Sequence, residues 1–448
     1  MMDRRQFIGT AGATAGLTVA GTGCGGSPGQ PAGVTVDSLA GLSLTDLRAR
    51  YEDDLFGRFL PFMDRHVVDK EYGGFMCAVR PDGSIVSTGK RAVYEGRGIW
   101  MYSYLYNNIA REQNYLDIAE RSLMFILKHK PRGAKPWPTA FSREGKALDD
   151  GGGTVNADLY LADGLQQFAV ATGDTQWSDL AREVLMKSLY IYDGDDYTPP
   201  AGAGYLGKNA PPTKGMRILD DWMLFLWPAV QMRGRVADTD LLMLVTQSID
   251  TLVNRYYNKE TGFIHELLEH DYRRPKNDYS QIVNFGNSFQ AVWHLMAAAE
   301  QVGNRDLFEK ATAMLRHHIE TAWDDVYGGM MNVCMHVDEN RWRLAKAHYV
   351  QCEALSALMR VIARTGEDWA REWYGRIDAY ERETFILDGR GYKTWMNSSD
   401  RFGTFAFDSC RRIGNFHNPR RLLLDMVALD GLIARAGQVE GWGEAGEV

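Results

Sequence analysis

From Leu44 onward the apolar residues keep a helical period: Leu47, Tyr51, Leu55 and Phe59 fall four positions apart on one stripe. The same period predicts twelve helices, near 44–66, 92–111, 114–129, 155–172, 176–190, 216–233, 237–255, 284–302, 305–323, 345–365, 368–383 and 418–436. The connections alternate in length. Short polar turns at 171–174, 302–305 and 364–368 join helices into pairs. Connections of about 20 to 35 residues, far above the usual median, follow each pair. The second helices of the pairs begin near Asn114, Gln176, Asp238, Arg305 and Glu367, at successive spacings of 62, 62, 67 and 62 residues. That is an internal repeat of helix, tight turn, helix, long loop.

One such unit cannot bury its own apolar face. Six of them closing on themselves form an all-α (α/α)6 barrel of six helical hairpins; an open superhelix of helix pairs is the alternative. The loops repeat as well. Residues 72–77 (YGGFMC) and 327–332 (YGGMMN) each open a short strand, turned at 81–83 and 338–340, which predicts short β-hairpins in the long loops. The barrel spans 44–440 as a single catalytic domain.

Ahead of the barrel stands a segment to be kept out of the fold. Arg4 and Arg5 precede a mildly apolar Gly/Ala/Thr run, so residues 1–24 read as a twin-arginine export signal. Cys24 offers a lipoprotein-type processing site in which Gly21 replaces the usual branched aliphatic residue. Residues 25–43, rich in Gly and Pro, read as a flexible tether. The expected location is the periplasm, or the cell envelope through a lipid on Cys24.

The formal net charge of −8 is spread without an acidic or basic block, which argues against a nucleic-acid partner. With 12 Trp and 21 Tyr the chain is generous in the aromatic residues that suit a carbohydrate pocket. A mono- or oligosaccharide is the expected partner. Cys77, Cys334, Cys352 and Cys410 are far apart and form no CxxC, so buried free thiols are expected rather than a metal cluster or a disulfide framework. Gly151, Gly152 and Gly153 lack the strand and lysine of a phosphate cradle. No cofactor and no metal are expected.

If the short turns lie at one end of the ring, the long loops and the N-termini of the six inner helices gather at the other. The polar residues that converge there are Glu95 and Arg97, Asn156 and Asp158, Arg217, Asp220 and Asp221, Asn287 and Gln290, Lys346, His348 and Glu353, and His417. His417 precedes a helix that Asn418 would cap and Pro419 would open. The positive end of that helix and partial burial both favour a neutral imidazole, the form a proton-abstracting base needs.

At these residues the chain resembles the N-acylglucosamine 2-epimerase superfamily, which includes cellobiose 2-epimerases and aldose–ketose isomerases. Residues 72–75 (YGGF), 82–83 (DG) and 95–103 (EGRGIWMYS) are similar to the family's GGF, DG and QxRxxWxxS. Residues 346–353 (KAHYVQCE) are similar to KxWWxQxE, with His348 and Tyr349 in place of the tryptophan pair, and 414–420 (GNFHNPR) to GxFHxPR. The resemblance implies proton transfer on a free reducing sugar, with His417 as base, Arg97 holding the enediolate oxygen and Glu353 orienting His417. Glu95, Trp100, Asp158, Asp220, Asn287, Gln290, His348 and Tyr349 are then the expected sugar-binding residues.

One motif departs. The family's NPGHxxExxW is here 284–293 (NFGNSFQAVW), so its catalytic histidine is replaced by Asn287 and its glutamate by Gln290. Neither amide takes a proton near neutral pH. The surviving set of His417, Glu353 and Arg97 suits a one-base aldose–ketose isomerase better than a two-base epimerase, unless His348 supplies the second base. His294 reads as a core histidine. Two other classes stay open: a glycoside hydrolase or lyase using Asp158, Asp220 or Glu95 as acid and base, and an exported sugar-binding protein without catalysis.

Overall fold

The computed structural model describes residues 33–150, 154–199, 214–233, 237–388, 394–404 and 410–442. Residues 1–32, on which the expected export signal and Cys24 fall, and residues 151–153 lie outside that set. The described residues hold twelve long helices where the apolar period predicts them. Helix α1 is one rod, Leu44–Glu52 and Leu60–His66 joined through a wider π-helical stretch, Asp53–Phe59. Then come α2 (Ala92–Asn108), α3 (Gln113–Leu127), α4 (Asn156–Thr172) and α5 (Thr175–Tyr192). Next are α6 (Leu219–Arg233), α7 (Thr239–Thr251), α8 (Phe285–Gln301) and α9 (Arg305–Ala322). The last three are α10 (His348–Thr365), α11 (Asp368–Thr384) and α12 (His417–Ala434). No described helix is long and apolar enough to cross a membrane.

The even-numbered helices form the inner ring. Each packs on the next, from α2 through α4, α6, α8 and α10 to α12, and α12 returns to α2. The odd-numbered helices lie outside, with α1 covering α12. This closure makes the fold an (α/α)6 barrel rather than an open superhelix. Side-chain character follows the layers: α9 buries Phe308, Ala311, Met314, Leu315, Ile319 and Ala322 along one stripe, whereas α8 is buried almost all round from Phe285 to Ala299. Between α2 and α4 the backbones nearly touch. A Cβ on Gly96 would lie 2.6 Å from the backbone of Tyr160, and that closeness sets Arg97 beside Tyr160.

At one end, the loops are stitched to their neighbours by two-residue ladders. Lys90–Arg91 pairs with Ala140–Phe141, Arg217–Ile218 with Leu267–Leu268, and Lys346–Ala347 with Ser398–Ser399. Val283–Asn284 pairs with the first strand of the hairpin Val333–His336 and Arg341–Arg343, one of the β-hairpins expected in the long loops. The amide of Ile413 donates to Cys77 O and links the last loop to the first. These ladders explain why α6 and α10 begin later than their apolar period predicts: the residues just before them are committed to strands.

Two loops share one plan. Lys90 Nζ lies 2.9 Å from Asp69 Oδ2 and donates to Gly73 O and Arg143 O, while Arg143 grips the same carboxylate. Lys346 Nζ lies 3.2 Å from Asp324 Oδ2 and donates to Gly328 O and Arg401 O, while Arg401 grips Asp324. Five residues beyond each lysine a side-chain oxygen receives the strand amide: Glu95 from Phe75 N at 3.1 Å, Gln351 from Met330 N at 2.9 Å.

The tether is shorter than the composition predicts. Val36 and Leu39 are buried, Val36 N donates to Gly437 O and Val439 N to Val34 O, so residues 34–43 belong to the barrel. The four remaining cysteines are buried free thiols, as expected.

Candidate active site

A cavity of about 440 Å³ opens at the stitched end, within the range of roughly 300–1,000 Å³ usual for small-ligand sites. All six inner helices reach it through their first two turns: Tyr94 and Arg97 from α2, Tyr160 from α4, Asp220 from α6, Asn287 and Gln290 from α8, His348, Tyr349 and Cys352 from α10, His417 and Asn418 from α12.

His417 is the first residue of α12 rather than the one before it. Phe416 takes the cap position, its carbonyl accepting from Arg420 N at 2.7 Å, and Pro419 falls third in the helix, where its missing N–H costs nothing. The imidazole is 22% exposed and its Nδ1 lies 2.7 Å from Glu353 Oε1. Glu353 Oε1 also accepts from Arg420 Nη2 at 2.5 Å and Oε2 from Trp293 Nε1 at 2.8 Å. Burial alone would raise the Glu353 carboxyl, but Arg420 first, then His417 and Trp293, hold it down at about 2. An ionised carboxylate can only accept, so the ring proton sits on Nδ1 and Nε2 keeps its lone pair. Burial, with Arg97 and Arg420 nearby, pushes the imidazole down to about 4 against the pull of Glu353. The ring is neutral near pH 7.

Arg97 donates from Nη2 to Tyr160 OH at 2.7 Å, its guanidinium lying 4.2 Å over the Tyr160 ring and 5.2 Å from that of Phe416. Asp220 accepts from Asn156 Nδ2 at 2.6 Å; burial raises its carboxyl and Arg97 opposes the rise. Asn287 Nδ2 donates to Glu266 Oε1 at 3.0 Å. Gln290 lines the cavity, its Nε2 buried with no protein hydrogen-bond partner. Tyr349 OH has Asn284 Oδ1 at 3.0 Å and Asn332 Oδ1 at 3.1 Å as acceptors for its one hydrogen, and its ring occupies the space a Cβ on Gly286 would need, 2.2 Å away. His348, first residue of α10, lines the cavity with its Nε2 2.8 Å from Glu381 Oε1.

Three expected sugar-binding residues do not reach the cavity. Glu95 is fully buried and binds Phe75 N and Ser122 Oγ. Asp158 is fully buried, accepting from Trp137 N and pairing with Lys187 Nζ at 2.9 Å. Both precede the cavity-facing residue of their helix, Arg97 or Tyr160, by two positions, and residues two apart do not share a helix face. Trp100 lies one turn deeper than Arg97, stacked on Tyr104 at 4.7 Å and edge-on to Phe416. Arg217, Asp221 and Lys346 likewise serve the framework: Arg217 donates to Gly194 O, Tyr197 OH donates to Asp221, and Lys346 is the loop clamp. His294 is a core histidine, fully buried with Nδ1 2.9 Å from Met223 O.

Sequence reasoning missed Tyr94, Tyr160, Trp395, Asn397, Arg412 and Phe416 on the cavity wall, and Arg420 behind Glu353. A helical wheel centred on Arg97 would have found Tyr94, three residues earlier on the same face. The loop residues carry no such signal. His348, Cys352 and Glu381 bring potential metal ligands within 4.8 Å of one another. Arg421 Nη2, 2.6 Å from Glu381, sets a fixed positive charge against a cation there, and burial keeps the Cys352 thiol protonated.

A closed ring of six hairpins thus carries, at its helix mouths, a polar basin lined by both a neutral, carboxylate-bound histidine and an arginine. Residues 73–411 match the family model of N-acylglucosamine 2-epimerase, and the chain belongs to that family. It is 22% identical over 408 residues to the N-acylglucosamine 2-epimerase of Bos taurus, covering 84% of this chain and 90% of that one. In structure it is similar to a cellobiose 2-epimerase from Bacillus thermoamylovorans, with TM-score 0.73 and 16% identity over 85% of this chain and 99% of that one. It is also similar to a D-mannose isomerase, with TM-score 0.70 and 14% identity over 86% and 97%.

Proposed function

We propose that this chain is a carbohydrate epimerase or isomerase acting on the open-chain form of a free reducing sugar. His417 Nε2 removes the proton from the carbon beside the carbonyl, the electron pair of that C–H bond becomes the C1=C2 double bond, and Arg97 holds the resulting enediolate oxygen. Glu353 fixes the Nδ1–H tautomer. The observation that carries the reading is the His417–Glu353 pair at 2.7 Å, with the neutral ring on the same cavity as Arg97. Asp220, Gln290 and Tyr349 would bind sugar hydroxyls.

The arrangement does not favour a glycosidase. Such enzymes need two carboxyl groups flanking one bond, and Asp220 is the sole carboxylate among the described lining residues. The test is a panel of N-acetylglucosamine, cellobiose, mannose and glucose in deuterium oxide, followed by proton NMR. Loss of the C2 proton signal with formation of an epimer or ketose supports the reading; an inert panel, or cleavage of cellobiose, overturns it. The twin-arginine pattern supports export to the periplasm or, through Cys24, attachment at the envelope. Arg4→Lys with Arg5→Lys should then hold the protein in the cytoplasm.

A further inference from the structure

His348 and His417 are the first residues of adjacent inner helices, and both line the cavity. Behind them stand two relays of the same composition. His417 binds Glu353, which binds Arg420; His348 binds Glu381 at 2.8 Å, which binds Arg421 at 2.6 Å. The nitrogens are used oppositely. His417 gives Nδ1 to its carboxylate and keeps Nε2, whereas His348 gives Nε2 to Glu381, leaving Nδ1. The ring of His348 lies flat against Phe385, centroids 4.9 Å apart and planes within 10°, so its orientation is fixed. Packing alone would not require a fully buried carboxylate and guanidinium behind an imidazole at a cavity wall. A ring that takes up and gives back a proton at its other nitrogen does need a carboxylate to hold it in place and to offset the charge while that proton is on.

We infer that His348 is the second proton-transfer group of this site, replacing the base lost at Asn287, and that the reaction is therefore inversion at C2. The inference rests on the enediolate reading of His417. In one direction His417 Nε2 takes the C2 proton and the C–H pair forms the C1=C2 double bond. Protonated His348 then gives its Nδ1 proton to the other face of C2. The double-bond pair makes the new C–H bond, the oxyanion collapses to the carbonyl, His348 ends neutral and His417 ends protonated. Exchange with solvent resets both rings. The reverse direction interchanges the two roles.

The experiment uses the wild type, His348→Gln, His348→Asn and His417→Gln in deuterium oxide. Each is given cellobiose and its C2 epimer separately, and N-acetylglucosamine and N-acetylmannosamine separately, with C2 exchange and product followed by NMR. In the wild type one pair should interconvert, with deuterium entering C2 of the product. In both His348 variants interconversion should fall by about a hundredfold or more, while one epimer still exchanges its C2 hydrogen within about tenfold of the wild-type rate; His417→Gln should leave only the other epimer exchanging. Retained exchange from one epimer itself shows that the variant is folded. Interconversion that survives in the His348 variants overturns the inference. So does loss of exchange from both epimers in both of them, or a ketose as the main wild-type product. No wild-type exchange with any of these sugars overturns the enediolate reading itself, a result distinct from the other three.

Discussion

Arg420 and Arg421 follow one another in the first turn of α12 and neutralise two different buried carboxylates, Glu353 at 2.5 Å and Glu381 at 2.6 Å. Successive residues on a helix point about 100° apart, so one turn of chain serves two partners on different helices. Each carboxylate then holds one cavity histidine. The two carboxylates that hold the cavity histidines thus take their counter-charges from a single short stretch next to His417.

Removing one of these cations should be costly. Arg420→Met strands the Glu353 carboxylate, whose side chain is 1% exposed, and breaking a buried pair from one side costs roughly 3–5 kcal/mol. Chemical denaturation should show the midpoint fall with the slope unchanged. A loss below about 1 kcal/mol would mean that Glu353 is satisfied without Arg420.

The pH dependence follows from the depressed His417 imidazole. Its folded value is about 4, against roughly 6.5 in an unfolded chain. Between those values the unfolded chain binds a proton that the native state does not. The stability from this group is therefore complete above about 6.5 and is lost as pH falls towards 4. The base stays neutral through the same window, so the acid limb of kcat/KM for C2 exchange should have its midpoint near 4. A limb near 6.5 would count against the buried, neutral ring.

The loop clamps should fail locally before the barrel does. In Asp69→Ala the fully buried Lys90 ammonium loses its carboxylate, at a cost of roughly 3–5 kcal/mol. Hydrogen exchange should accelerate at the amides of Gly73 and Phe75, while those of α8 and α10 keep their relative protection. Uniform acceleration across the barrel would show that the clamp is not a separate unit.

Asn287 donates to Glu266 across 3.0 Å. A histidine at 287 could give its own ring N–H to that carboxylate. Asn287→His placed in His348→Gln should therefore recover interconversion by about tenfold or more. No recovery would mean that position 287 no longer reaches the reacting carbon.

The barrel was legible because its period is written in apolar spacing and in the near-constant interval between hairpins. Helix starts were less so. Lys346–Ala347 and Arg217–Ile218 are drawn into ladders by loops far along the chain, which no local pattern announces. Of the site, the residues that face the axis were found wherever a motif marked them: His417, Arg97, Asn287 and Gln290. Glu95 and Asp158 were misplaced because nearness to a helix N-terminus says nothing about which face a side chain takes. The tether was overextended because Val36 and Leu39 lack enough neighbours to show a period, although both are buried.

The role of His417 at the reacting carbon is the point on which the proposed chemistry most depends. The measurement is the rate at which His417→Gln and the wild type wash deuterium into C2 of the sugar turned over, each at saturation and with unchanged melting. The variant should lose exchange, by about a hundredfold or more, from the epimer whose proton His417 takes. Exchange from both epimers at the wild-type rate would contradict it.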